Sequence, residues 1–168
     1  ANDPKRPTEL RLKAVAAVTS LPAPLDAEVF SFLQNQITPD QPAMQRAAAA
    51  TQLARAKLSG SQQLALIKNI PTVGPLELMH LLRAITAKDE KTGRSLVAAL
   101  GKVKGLGGLS ESGLRAALAP FPPAVHEAGK PLLKKLAVNV EAQAKRLAEL
   151  EGSLKDGDVG RGHLIFNG

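Results

Sequence analysis

Apolar residues recur along this chain at the three-to-four spacing of helices, not at the two-residue spacing of half-buried strands. In "TELRLKAVAAVTSL" the stripe is Leu10, Ala14, Ala17, Val18 and Leu21, with Thr8 placed as a cap and Pro22 ending the run. Leu25, Val29, Phe32 and Leu33 form a second stripe. After the break at "TPD" a third helix runs through Met44, Ala47, Ala48, Ala54 and Leu58, and Gly60 and Ser61 separate it from a short fourth. "GPLELMHLLRAI" carries Pro75 where a first helical turn tolerates it, and Leu96, Leu100 and Val103 share one face after "KDEKTG". "GLGGLS" reads as a break. Helices over about 110–119, 123–137 and 140–154 follow, the last with Ala144, Leu147 and Leu154 inward and Lys145, Arg146 and Glu149 outward. The pattern predicts an all-α fold of about nine helices.

A weak repeat underlies the helices. Arg11, Arg46, Arg83 and Arg115 follow "TEL", "AMQ", "HLL" and "SGL", at spacings of 35, 37 and 32 residues, each within the first helix of a pair. Helix pairs at that period predict a HEAT-like α-solenoid, with an irregular helical bundle as the alternative. The four arginines either make a basic ridge or lay their aliphatic stems over neighbouring helices and bond carbonyls or acids at a turn. The second reading is preferred.

Composition narrows the chemistry. A chain of 168 residues is long enough to bury one real core. Its apolar share is mostly Ala and Leu, with four Phe and no Trp or Tyr, which favours closely packed helices. The absence of Cys excludes disulfides, thiolate metal sites, cysteine nucleophiles and covalent c-type haem attachment within this sequence. No run approaches the roughly 18 uninterrupted apolar residues of a membrane span. "ANDPKRPTEL" lacks the apolar core of a signal peptide.

Catalytic constellations are thin. His80, His126 and His163 stand far apart with no second ligand at metal spacing on the same turn. His80, beside Met79, reads as a buried or boundary histidine with a satisfied hydrogen bond. "GKVKGLGG" has the glycines and lysine of a phosphate loop in the wrong order, after a helix and with Lys102 first. Ser110 and Glu111 read as a helix start with an acid in its first turn. No catalytic, metal or cofactor-binding residue is assigned, and an independent enzyme is the least favoured reading.

The net charge of +7 is uneven. Arg83, Lys88, Lys91, Arg94, Lys102 and Lys104 stand against only Asp89 and Glu90 in that segment, a candidate interaction face for phosphate, anionic lipid or an acidic partner. With no Tyr or Trp to stack on bases, a HEAT-like nucleic-acid-binding module is an alternative and not the preferred reading.

Several stretches carry a family resemblance. "TELRLKAVAAV", "GPLELMHLLRAI", "LLKKL" and "KRLAELEGSLKDGDVGRGHLIF" together resemble the helical region before the c-type cytochrome domain of planctomycete-type membrane-bound dehydrogenase and haem-binding proteins. "GDVGRGHLIFNG" is similar to the motif that opens the first cytochrome helix, at Asp158, Arg161, Gly162, Ile165 and Phe166. The resemblance implies that Asp158 caps that helix, Gly162 admits a crossing helix and Phe166 packs against it. It further implies a HEAT-like domain over residues 1–155 and, over 156–168, a linker and the start of a truncated cytochrome c domain. The expected role is a non-catalytic scaffold between a dehydrogenase-like propeller and the cytochrome in an extracytoplasmic, periplasmic-type redox protein. On that expectation the partners are those neighbouring domains and a protein on the concave face. No cofactor belongs to this chain, and covalent haem belongs to the downstream domain.

Overall fold

The structure is a computed structural model and describes residues 3, 5–19, 23–103, 106, 109–153 and 158–167. Among them run α1 (Thr8–Val18), α2 (Ala27–Gln36), α3 (Ala43–Arg55), α4 (Gly60–Asn69), α5 (Pro75–Ala84), α6 (Glu90–Leu100), α7 (Glu111–Leu118), α8 (Pro123–Ser153) and α9 (Val159–Asn167), with a 3₁₀ turn at Ile70–Thr72. No strand occurs among the described residues, where extended pairing is confined to an isolated bridge between Pro24 and Lys57. The chain is all-α with nine helices in the described residues, as its periodicity predicts.

Local chemistry starts these helices. Asp26 Oδ1 accepts the Glu28 and Val29 N–H groups at 2.8 and 3.3 Å and so caps α2. Ser59 and Gln62 close a reciprocal capping box on α4, leaving Gly60 inside the helix rather than before it. Thr8 is not a cap. Pro7 occupies that position with its φ fixed by the ring, and Thr8 becomes the first helical residue. Asp26→Ala is expected to lower stability by about 1 kcal/mol, measured by urea unfolding, because it returns two helix N–H groups to water.

Contacts divide the chain into two units, residues 1–133 and 134–168. The expected boundary at 155/156 lies outside the described residues. In the first unit α1 and α2 both pack on α3, α3 packs on α5, and α4 packs on α6 and on the 3₁₀ turn. Leu33, Leu53, Leu66, Leu81, Leu96 and Leu114 are among its enclosed side chains. Between these apolar contacts, hydrogen-bonding residues tie the helices to one another. Thr19 donates to Gln52 at 2.8 Å between the end of α1 and α3, both buried, and Gln34 donates to Asn69 at 2.8 Å between α2 and α4. Arg46 Nε pairs with the buried Glu77 carboxylate at 3.0 Å while its Nη1 donates to the Gln41 carbonyl at 2.8 Å, joining α3 to α5.

The second stripe is buried as predicted, at Leu25, Val29, Phe32 and Leu33. The first is not. In α1 the buried face carries Leu12 and Val15 and continues to Thr19, whereas Leu10, Ala14 and Ala17 are exposed; Leu21 and the Val18 side chain lie outside the described residues. A polar residue, Thr19, sits where an apolar one would have marked the face, and alanines blur the rest. The same happens in α3, where Met44 is 83% exposed, Ala47, Ala48 and Ala54 are half-buried, and Ala49, Ala50, Gln52 and Leu53 form the buried side.

The helices expected over 123–137 and 140–154 are one helix, α8, of 31 residues with Pro131 inside it. The gap expected at 138–139 is cheap to bridge, because the Val and Asn of "AVNV" each cost only a few tenths of a kcal/mol in a helix. Residues 140–152 are all exposed, so Ala144 and Leu147 do not point into a core as expected. Leu154 lies outside the described residues.

Candidate functional site

Burial on α5 fixes one wall of a cleft. Leu78, Leu81 and Ala84 pack inward, and the helix ends as Ile85 turns to extended backbone. The next residues are held by one side chain: the Gln63 amide oxygen accepts the Thr86 and Ala87 N–H groups at 2.9 and 2.8 Å. Asp89 then caps α6, accepting the Thr92 N–H at 2.9 Å and the Thr92 hydroxyl at 2.7 Å. Lys88 is therefore pinned between two fixed points. Its Nζ donates to the Ile85 carbonyl at 3.2 Å and lies 5.3 Å from the Phe121 ring centroid.

A close helix approach lies behind the opposite wall, at Phe121. A Cβ at Gly93 would fall 2.6 Å from Val125 Cγ2 and 2.7 Å from Phe121 Cδ1, so only glycine lets α6 meet the start of α8 here. α7 buries Leu114 and Leu118 and turns Gly113, Ala116 and Ala117 toward the gap. The resulting cleft has a volume of about 410 Å³. Met79, Leu82, Leu96 and Phe121 give it an apolar lining, Arg83 and Lys88 supply positive charge, and no Asp or Glu lines it among the described residues.

The basic segment does not act as one face of this cleft. Of its six residues, Arg83 and Lys88 reach the cleft and Lys91, Arg94 and Lys102, all exposed, are not part of its lining. Arg94 is paired with Glu90 at 2.6 Å. Lys104 lies outside the described residues. The repeated arginines also diverge. Arg11 and Arg46 are the fourth residues of α1 and α3, but Arg83 is the ninth of α5 and Arg115 the fifth of α7. Arg11 stacks over Phe32 at 3.8 Å from its ring centroid, Arg46 holds Glu77, and Arg115 pairs with Glu111 at 2.7 Å on its own helix. Arg83 has no ion-pair partner among the described residues.

The Asp89 cap gives a pH dependence. The Thr92 N–H, then the Thr92 hydroxyl, hold its carboxyl below the ordinary value of 3.8. Because the folded state lowers this pKa, the cap's contribution is complete above the unfolded value and is lost as pH falls through the folded one. A carboxyl-carbon NMR titration of Asp89 should give a midpoint below that of an Asp in a short peptide. The Thr92 amide should move with it.

The histidines assemble no site. His80 is half-buried and lacks the hydrogen bond expected of it among the described residues, His126 Nε2 lies 3.0 Å from the Leu118 carbonyl, and His163 is exposed on α9. No group of three His, Cys, Asp or Glu residues able to hold a metal occurs among the described residues. Ser110 is a helix cap, accepting the Gly113 N–H at 3.0 Å, as its sequence context predicts.

On α9, Asp158 accepts the Arg161 N–H at 3.0 Å through its side chain and the Gly162 N–H at 2.9 Å through its carbonyl. A Cβ on Gly162 would meet nothing within 4 Å. Leu164, Ile165 and Phe166 are exposed, Phe166 to 90%. No described helix is long and apolar enough to cross a membrane.

Neither the cleft residues Met79, Gly113 and Phe121 nor the clamp residue Gln63 stand out in the sequence. Gly113, Ala116 and Ala117, small and at helical spacing, were the signal available for one wall. No family model, curated protein or solved structure matches the chain.

Proposed function

We propose that this chain is a non-catalytic helical interaction domain, and that in its parent protein it stands between a dehydrogenase-like propeller and a c-type cytochrome. The observation that carries the reading is α9. Its first turn is capped by Asp158, and Gly162 and Phe166, four residues apart and so on one face, are both open to a crossing helix. The family resemblance assigns those residues the same three roles. In the first unit, the contacts of α3 with α1 and α5, and of α4 with α6, support a reading as helix pairs stacked in series. Such a stack holds its neighbours at a fixed separation better than a Gly/Ser tether of equal length. Haem and electron transfer would belong to the parent, in an extracytoplasmic compartment.

The test is the intact mass and visible spectrum of the species that carries this sequence in its native source, isolated with an antibody against residues 23–103. A larger, haem-containing species supports the reading. A colourless species of about 17.6 kDa would overturn it and direct attention to the exposed Lys91 and Lys102.

A further inference from the structure

We propose that the cleft between α5, α6 and α7 binds an amphiphilic carboxylate, with an unbranched acyl chain of medium length along Met79, Leu96 and Phe121 and its head group between Arg83 and Lys88. This site is independent of the scaffold reading.

Size comes first. About 410 Å³ lies within the roughly 300–1,000 Å³ of small-molecule sites, and such sites join a mostly apolar lining to a few converging polar groups. Here the charged groups are two cations, with no lining acid among the described residues, and Thr86 adds a hydroxyl. Arg46, Arg94 and Arg115 each have a carboxylate partner, whereas Arg83, at the cleft, has none among the described residues. A guanidinium presents paired donors that match a carboxylate edge. Lys88 adds a second charge in a set position, because the Ile85 carbonyl and the Phe121 ring hold its ammonium at the wall. An ammonium has three N–H donors, so donors remain for a ligand.

The lining selects the rest of the ligand. Leu96 and Phe121 are almost wholly buried and form a fixed floor, while Met79 is 37% exposed and its unbranched thioether adapts to a chain of variable shape. A nucleotide or polyphosphate would meet two cations and no ring free to stack, and would leave the apolar floor wet. A simple inorganic anion would also leave it wet. An acyl carboxylate satisfies both halves of the cleft at once.

The intact chain should be titrated calorimetrically with decanoate below its micellar concentration, and with acetate and decyltrimethylammonium as probes of head group and tail alone. Decanoate should bind saturably at one site per chain, with acetate and decyltrimethylammonium each at least about tenfold weaker. Arg83→Ala should weaken decanoate by about tenfold or more while the far-ultraviolet circular dichroism stays unchanged, since Arg83 is exposed. Lys88→Ala also removes the bond to Ile85, so the Arg83 variant decides. Binding should also shift the Met79 methyl resonance, an independent reading of the tail. The proposal is overturned if decanoate does not saturate, if decyltrimethylammonium binds equally well, or if Arg83→Ala leaves the affinity intact.

Discussion

Gln63→Leu should lower the free energy of unfolding by about 3 kcal/mol or more, although leucine nearly matches glutamine in volume. Gln63 is 4% exposed, and its amide makes four bonds: two accepted from Thr86 and Ala87, and two donated to the Leu58 carbonyl and the Thr86 hydroxyl, both at 3.1 Å. Removing it strands the Leu58 carbonyl of a buried bond and the part-buried Thr86 and Ala87 N–H groups, and a buried polar group left without a partner costs about 1–3 kcal/mol. Gln63→Glu keeps the acceptor but turns an ionised oxygen toward the Leu58 carbonyl at a buried site, so it should destabilise as well. Urea unfolding followed by circular dichroism at 222 nm measures both, since the chain has no Trp or Tyr to report by fluorescence. A Leu variant within 0.5 kcal/mol of native, roughly the effect of an ordinary surface change, would mean that residues 85–89 are held by something other than this clamp.

Gly93→Ala should destabilise by about 1–3 kcal/mol, against the usual benefit of alanine in a helix, which is about 1 kcal/mol over glycine. The added methyl would overlap Val125, which is fully buried and β-branched, and Phe121, which is 4% exposed, so neither neighbour has an easy rotamer in which to give way. Val125→Ala in the same chain should recover part of the loss, because the two changes share one space. Gly60 is the control. A Cβ there would meet nothing within 4 Å inside α4, so Gly60→Ala should change stability by less than about 1 kcal/mol. Equal losses at both glycines would show that the α6–α8 approach is not the cause.

These two residues mark where the sequence stops being readable. Helical content and the α2 stripe follow from spacing, because Leu25, Val29, Phe32 and Leu33 are large, apolar and uninterrupted by polar substitutes. Where a buried position is polar, as at Thr19, Gln52, Gln63 and Glu77, period alone assigns the face wrongly, and α1 and α3 were displaced for that reason. Gln63 reads as a surface glutamine until the backbone it clamps is placed beside it. The candidate site was half legible. Arg83 and Lys88 belong to an obvious basic run, but a helix spreads consecutive residues around its axis, so Lys91 and Arg94 leave the cleft, and Phe121, which completes it, comes from far along the chain.

The exposed half of α8 has a consequence for how the protein melts. From residue 140 to 152 no side chain is buried, so that stretch is sustained by its own propensity, with Ala, Leu, Glu, Lys, Arg and Gln in "EAQAKRLAEL". Helix held only by propagation from one end loses turns gradually with temperature, without a sharp transition of its own. Ellipticity at 222 nm should therefore decline along a slope before any cooperative transition begins. Amide exchange should quicken residue by residue from Val140 toward Gly152, while Leu96 and Leu100 remain protected until the first unit opens as a whole.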